Sequence, residues 1–260
     1  MTEQLVAVER RDGLTALTVD RPHKRNALSR EVLDDLRAAL VEAASDETLR
    51  VLTITGAGQD NFTSGGDLVA LSAVRTRVDA SAMACHARTV LDHIRTFPVP
   101  VVAAVNGDAL GGGAELAVAC DFRIVASHAR LGFVQGRQAI TTAWGGGVDL
   151  MRLVGPTRAL RLLCTTQLVD HDEGRRIGLY DAVVDGDSLQ QCVDRFVEPF
   201  LTLPAHVVRT FKALAVGARS GVDRVAMERI EHEHFVTNWV HDDHWAALDR
   251  FLKRPRAGVR

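Results

Sequence analysis

Apolar and polar positions alternate with two periods along this chain. In "LVAVERRDGLTALTVD" (residues 5–20), β-branched and apolar residues flank the turn pair Asp12-Gly13, which predicts a β-hairpin. In "REVLDDLRAALVEA" (30–43), Val32, Leu33, Leu36 and Leu40 recur at helical spacing behind the capping residue Ser29, which predicts a helix. The apolar runs 51–55, 101–105 and 122–126 read as strands, and the stretches 81–96, 146–163, 171–178, 188–201, 204–217 and 221–237 as helices. Two of the strands run into glycine-bearing loops, "GAGQDNFTSGGD" and "NGDALGGGAE", which hints at a repeated β–loop–helix unit. No Pro/Ser/Gly-rich linker divides the chain. The expected architecture is one α/β core over residues 1–200 followed by a helical region over 201–260.

Composition narrows the partners. The 260 residues carry a net charge of −2, against the basic excess of a nucleic-acid-binding surface. The single cationic run, "FLKRPRAGVR", reads on its own as a solvated terminus. "MTEQLVAVERRDG" lacks a cationic segment leading into an apolar core, and no apolar run approaches the ~18 residues of a membrane span, so a cytoplasmic protein without a membrane partner is expected. Cys85, Cys120, Cys164 and Cys192 form no CxxC pair and read as reduced thiols.

Candidate chemistry lies in the glycine loops. Gly56-Ala57-Gly58 after a strand invites a dinucleotide-binding reading, but Asn61 takes the third glycine position and "FTSGGD" does not read as a helix. The late histidines in "EHEHFVTNWVHDDH" could supply metal ligands. His232 and His234, however, would point to different sides of a helix, so a solvated helix and no metal site are expected. "FTSGGDL", with Ser64, Gly65 and Gly66, reads either as a tight turn or as a backbone cradle for negative charge. "ALGGGAE" places Glu115 in the first turn of a helix behind Gly111 and Gly112. There the helix N-terminus favours an anion, which alone would account for Glu115. Alternatively, that lowering of its pKa, opposed by apolar surroundings, would leave it suited to acid–base work.

At these residues the chain resembles the crotonase (enoyl-CoA hydratase/isomerase) superfamily. "RPHKRNALS" (21–29), "NFTSGGDL", "NGDALGGGAELAVACD", "LGFVQGRQAITTAWGGGVDLMRLVG" (131–155) and "FLKRP" match its motifs in order along nearly the whole length. The resemblance implies a spiral of repeated ββα units, with C-terminal helices that assemble trimers or pairs of trimers. It implies that the N–H groups of Gly66 and Gly112 hold a thioester oxygen, and that Ser64, Gly65, Asp67, Leu68 and Gly111 belong to the same ligand-facing loops. It further implies that Arg25, Ala27 and Lys253 lie near coenzyme A, which enters as part of the substrate; no separate cofactor is expected. Glu115 falls on the first catalytic glutamate of hydratases. The second falls on Gln135, which can hold a group by hydrogen bonds but cannot exchange protons as a carboxyl does.

That departure, with "SGGDL", "WGGG" and "TNW", resembles the ethylmalonyl-CoA decarboxylase group. The expected function is a lyase acting on a short acyl-CoA through an enolate, with decarboxylation of ethylmalonyl- or methylmalonyl-CoA ahead of 2-enoyl-CoA hydration by Glu115. A catalytically weak acyl-CoA-binding protein is the alternative from another class. Trp144 either walls the acyl pocket or packs beneath the glycine turn.

Overall fold

The hairpin forms as its turn pair dictates. In a computed structural model describing residues 5–185 and 188–253, β1 (Val6–Arg11) pairs antiparallel with β2 (Leu14–Val19) around Asp12-Gly13. Helix α1 (Arg30–Ala44) follows, its first turn capped by the Ser29 hydroxyl, which accepts from the Val32 N–H. Its apolar stripe, Val32, Leu33, Leu36 and Leu40, is buried in the main core.

The glycine loops mark a true repeat. One unit is β3 (Val51–Gly56), β4 (Asn61–Thr63) and the short α2 (Leu68–Leu71). After helix α3 (Arg77–Arg95), the next unit is β5 (Val101–Val105), β6 (Asp108–Leu110) and α4 (Gly112–Ala119). The third begins with β7 (Phe122–Ala126) and β8 (Leu131–Gly132), and a 3₁₀ turn over Val134–Gln138 takes the helix position. The first strand of each unit enters one sheet, the second strand another. The larger sheet runs β1-β2-β3-β5-β7-β10, parallel except at β1; the smaller runs β4-β6-β8-β9. Here β9 is Leu168–Val169 and β10 is Ala182–Val184. Val101–Val105 is wholly buried, as a central strand covered on both faces should be. This is the ββα spiral expected of the chain, and α4 sits at its centre with Gly113 to Ala119 all buried.

Two sequence expectations change, for the stretch 146–163 and for the late histidines, while the rejection of a dinucleotide loop stands. The stretch 146–163 is two helices, α5 (Gly146–Val154) and α6 (Pro156–Thr165), because Gly155 at φ 82° leaves the helical region and Pro156 starts the next helix. Gly56-Ala57-Gly58 leads into strand β4 rather than a helix, so the helix N-terminus that a dinucleotide pyrophosphate needs is missing there. The late histidines span a helix break rather than one helix.

The remaining helices are α7 (His171–Arg176), α8 (Leu189–Leu201), α9 (Ala205–Ser220), α10 (Arg224–Trp239) and α11 (Asp242–Leu252). The last was not foreseen; His241 caps it, Nδ1 accepting from the Asp243 N–H. Phe196 and Phe200 of α8 pack with Phe122 on the large sheet. Among the described residues no helix is long and apolar enough to cross a membrane.

Candidate active site

The two glycine loops meet because β4 and β6 are parallel neighbours. Gly65, at φ +95°, turns the first loop so that its Cα lies against the Leu110 carbonyl and the Gly112 amide. The strand-like bridge from Leu28 to Gly66 fixes the other side: Leu28 N–H donates to Gly65 O and Asp67 N–H to Leu28 O. Among the described residues, no group accepts from the N–H groups of Gly66 and Gly112, although both residues line the same cavity. Two unused backbone donors at one cavity, one of them opening α4, suit an oxygen that gains negative charge.

This cavity, of about 120 Å³, is lined among others by Ser64, Gly65, Gly66, Leu68, Gly111, Gly112, Glu115, Gln135 and Trp144. Nine of the expected site residues therefore come together. Asp67 lies one residue outside; it caps α2 and pairs with Arg21 at 3.0 Å, holding the first loop to the segment before α1. Arg25, at φ 53°, and buried Ala27 flank that loop, where Ser64 N–H donates to Arg25 O. Lys253 does not join the cavity. It ends α11, exposed and 3.7 Å from Asp249, and the residues after it in "FLKRP" lie outside the described ones.

Trp144 does both things its position allowed. Its ring lies against the Cα of Gly112, where any Cβ would overlap it, and it walls the cavity. It also walls a neighbouring cavity of about 170 Å³, together with Leu71 and Met83. The remaining lining residues, including Leu71, Met83, Val134, Ile140, Thr141 and Ala143, were not singled out from the sequence. They fall within two stretches, near 70–95 and 133–145, that only the fold brings together.

Glu115 is 2% exposed. Its Oε2 accepts from the Trp144 and Gly146 N–H groups, both at 2.9 Å, and its Oε1 from Gln135 Nε2 at 3.0 Å. Burial pushes its pKa up from the ordinary glutamate value, opposed by hydrogen bonds from the Gly146, Trp144 and Ala143 N–H groups and from Gln135. The hydrogen bonds that lower it come chiefly from the turn before α5. Gly146 must be glycine, since a Cβ there would lie 2.5 Å from Glu115 Cγ. Gln135 Oε1, in contrast, is buried with no partner among the described residues. The site thus contains one proton-exchanging carboxyl, one amide with an open acceptor, and two unused backbone donors.

The histidine reading also shifts. His206 and His241 stack with ring centroids 3.9 Å apart, and Asp243 lies beside them, whereas His232 is not part of that group. Nothing in the spacing of "PAH" and "VHDDH" indicates that pairing.

Comparison with known proteins gives the family and the fold. The family described as Enoyl-CoA hydratase/isomerase matches residues 9–257. A crotonyl-CoA hydratase of Syntrophomonas wolfei is 34% identical over 99% of this chain and 98% of its own. An ethylmalonyl-CoA decarboxylase of Danio rerio is also 34% identical, over 80% of this chain and 70% of its own. The crystal structure of an enoyl-CoA hydratase from Bacillus anthracis superposes with a TM-score of 0.90 at 29% identity, covering 96% of each chain.

Proposed function

This chain belongs to the enoyl-CoA hydratase/isomerase family, and from that premise we propose that it decarboxylates a short 2-carboxyacyl-CoA such as ethylmalonyl- or methylmalonyl-CoA. The observation that carries the reading is the pairing of Glu115 with an amide, Gln135, where two-acid chemistry would need a second carboxyl. Loss of carbon dioxide needs no base. The bond from C2 to the carboxylate breaks and its electron pair moves into C2–C1, placing negative charge on the thioester oxygen. The Gly66 and Gly112 N–H groups receive that charge. Protonated Glu115 then delivers its proton to C2 and takes another from water, so one proton is consumed for each carbon dioxide released. The lining around the reacting carbons is mostly apolar and carries no cationic side chain, which leaves the departing carboxylate without a counter-charge to hold it.

A second reading, hydration of a 2-enoyl-CoA, is favoured by Gln135 Oε1. An open acceptor beside Glu115 suits the two hydrogens of an attacking water. The pH dependence separates the two, because each uses the opposite form of Glu115. Burial keeps Glu115 protonated above the usual carboxylate range. Carbon dioxide release is therefore expected to be flat at low pH and to decline through the raised pKa, above the ordinary value of about 4.3. A kcat profile that rises through that region instead would favour hydration.

The exposed apolar side chains Phe235, Trp239, Trp245, Phe251 and Leu252 on α10 and α11 support assembly through these helices, as trimers or pairs of trimers. Adenine-end contacts from Lys253 and pantetheine contacts from Arg25 and Ala27 belong to the same proposal.

A further inference from the structure

We infer that Arg95 is a positioning residue for Glu115, holding the turn whose backbone N–H groups fix the carboxyl; this rests on Glu115 being the proton-carrying group of the site. Arg95 closes the last turn of α3, and its guanidinium reaches three partners. Nη2 donates to Trp144 O at 2.8 Å, Nε to Asp149 Oδ2 at 2.8 Å, and Nη1 to Asp92 Oδ1 at 2.7 Å. The same peptide region thus faces two ways, its carbonyl toward Arg95 and its N–H groups toward Glu115. Gly145 lies against the guanidinium, where a Cβ would come within 2.7 Å of Nη2.

The contacts form a closed circuit. Asp149, 3% exposed in the first turn of α5, also receives Arg219 Nη2 at 3.1 Å. Arg219, near the end of α9, donates to Val118 O and Ala119 O, the terminal carbonyls of α4. Helix α4 is thereby tied at its far end, through Arg219, Asp149 and Arg95, to the turn that grips Glu115 in its first turn. Buried ion pairs roughly break even in stability against apolar side chains of similar size. What they supply here is fixed geometry: a fork that can meet a carboxylate and a carbonyl together.

The charges around this circuit set the direction of its effect. Among the described residues, Glu115 itself is met by the amide of Gln135 and the backbone N–H groups of Trp144 and Gly146. Arg95 faces Asp92 from α3 and Asp149 from α5, while Arg219 faces Asp149 and Asp121, and Lys212 also meets Asp121. Loss of Arg95 removes a positive charge and frees the turn, so the donors to Oε2 loosen and burial of Glu115 goes less opposed. Glu115 then keeps its proton to higher pH.

The test uses the full chain labelled with [δ-¹³C]glutamate, the Glu115 resonance being the one missing from Glu115→Gln. In Arg95→Met its titration midpoint is expected to rise by about half a pH unit or more. The low-pH plateau of kcat for carbon dioxide release should fall about tenfold, because a loosened carboxyl is misplaced for proton delivery. The decline of the profile moves to higher pH with the midpoint, while KM stays within about twofold. Arg95→Lys keeps the charge but can reach only one partner, so it is expected to follow Arg95→Met; it also serves as the reporter if Arg95→Met does not fold. A wild-type midpoint in Arg95→Met, or full restoration by Arg95→Lys, overturns the inference. A shifted resonance with an unmoved kcat profile supports the role of Arg95 and counts instead against Glu115 as the proton donor.

Discussion

Under the proposed decarboxylation, Glu115→Gln is expected to slow carbon dioxide release about 10²-fold, at the lower end of what a positioned acid contributes, and to leave KM within about twofold. The substitution keeps the shape of the site. The new Oε1 still accepts from the Trp144 and Gly146 N–H groups, and the Gln135 amide can turn its open oxygen toward the new amide nitrogen. What disappears is the exchangeable proton, so the enolate must wait for water. Decarboxylation survives in reduced form because bond breaking needs only the oxyanion donors. Hydration would be lost almost wholly, since its attacking water needs the base.

The same variant is expected to keep or raise the thermal midpoint near neutral pH. Burial raises the pKa of Glu115 in the folded state, so the folded chain binds more protons than the unfolded one between the two pKa values. Stability from this group is present below the unfolded pKa and falls as pH rises through the folded one, a loss that glutamine removes. Steady-state kinetics and thermal melts on one preparation check both outcomes.

Gly112→Ala is expected to remove the proposed activity for a different reason. Its Cβ would overlap the Trp144 ring, so either the ring or the start of α4 must move. Movement of α4 would take the Gly112 N–H away from the proposed thioester oxygen position, and movement of Trp144 disturbs the N–H that grips Glu115. Loss of one oxyanion donor typically lowers kcat by about 10²–10³. A loss in that range, with the chain still folded by circular dichroism, is the expected result. Near-normal turnover would show that Gly112 N–H is not a donor to the reacting oxygen.

Much of this was legible in the letters because glycines cluster where backbone must approach closely. The loops around Gly65 and Gly111 announced both the repeat and the cavity, and Glu115 stood out as a carboxyl on an apolar helix. Its environment was not legible. The donors on Oε2 come from Trp144 and Gly146, far along the chain, and only the packing of α5 on α4 brings them there. The helix break at Gly155-Pro156 carried ordinary stop and start signals, but the apolar spacing continues through Leu150, Leu153 and Leu162 and masks them. Helix α11 was missed because "VHDDH" reads as a polar surface run; its capping role depends on the His241 ring folding back onto the Asp243 N–H.

The most direct measurement is mass spectrometry of the thioesters after separate incubation of the pure protein with ethylmalonyl-CoA and with crotonyl-CoA in D₂O. The expected result is loss of carbon dioxide from the first, with one deuteron placed at C2 of the product, and unchanged crotonyl-CoA. Addition of water to crotonyl-CoA with ethylmalonyl-CoA left intact would contradict the account and make Glu115 the base of a hydratase.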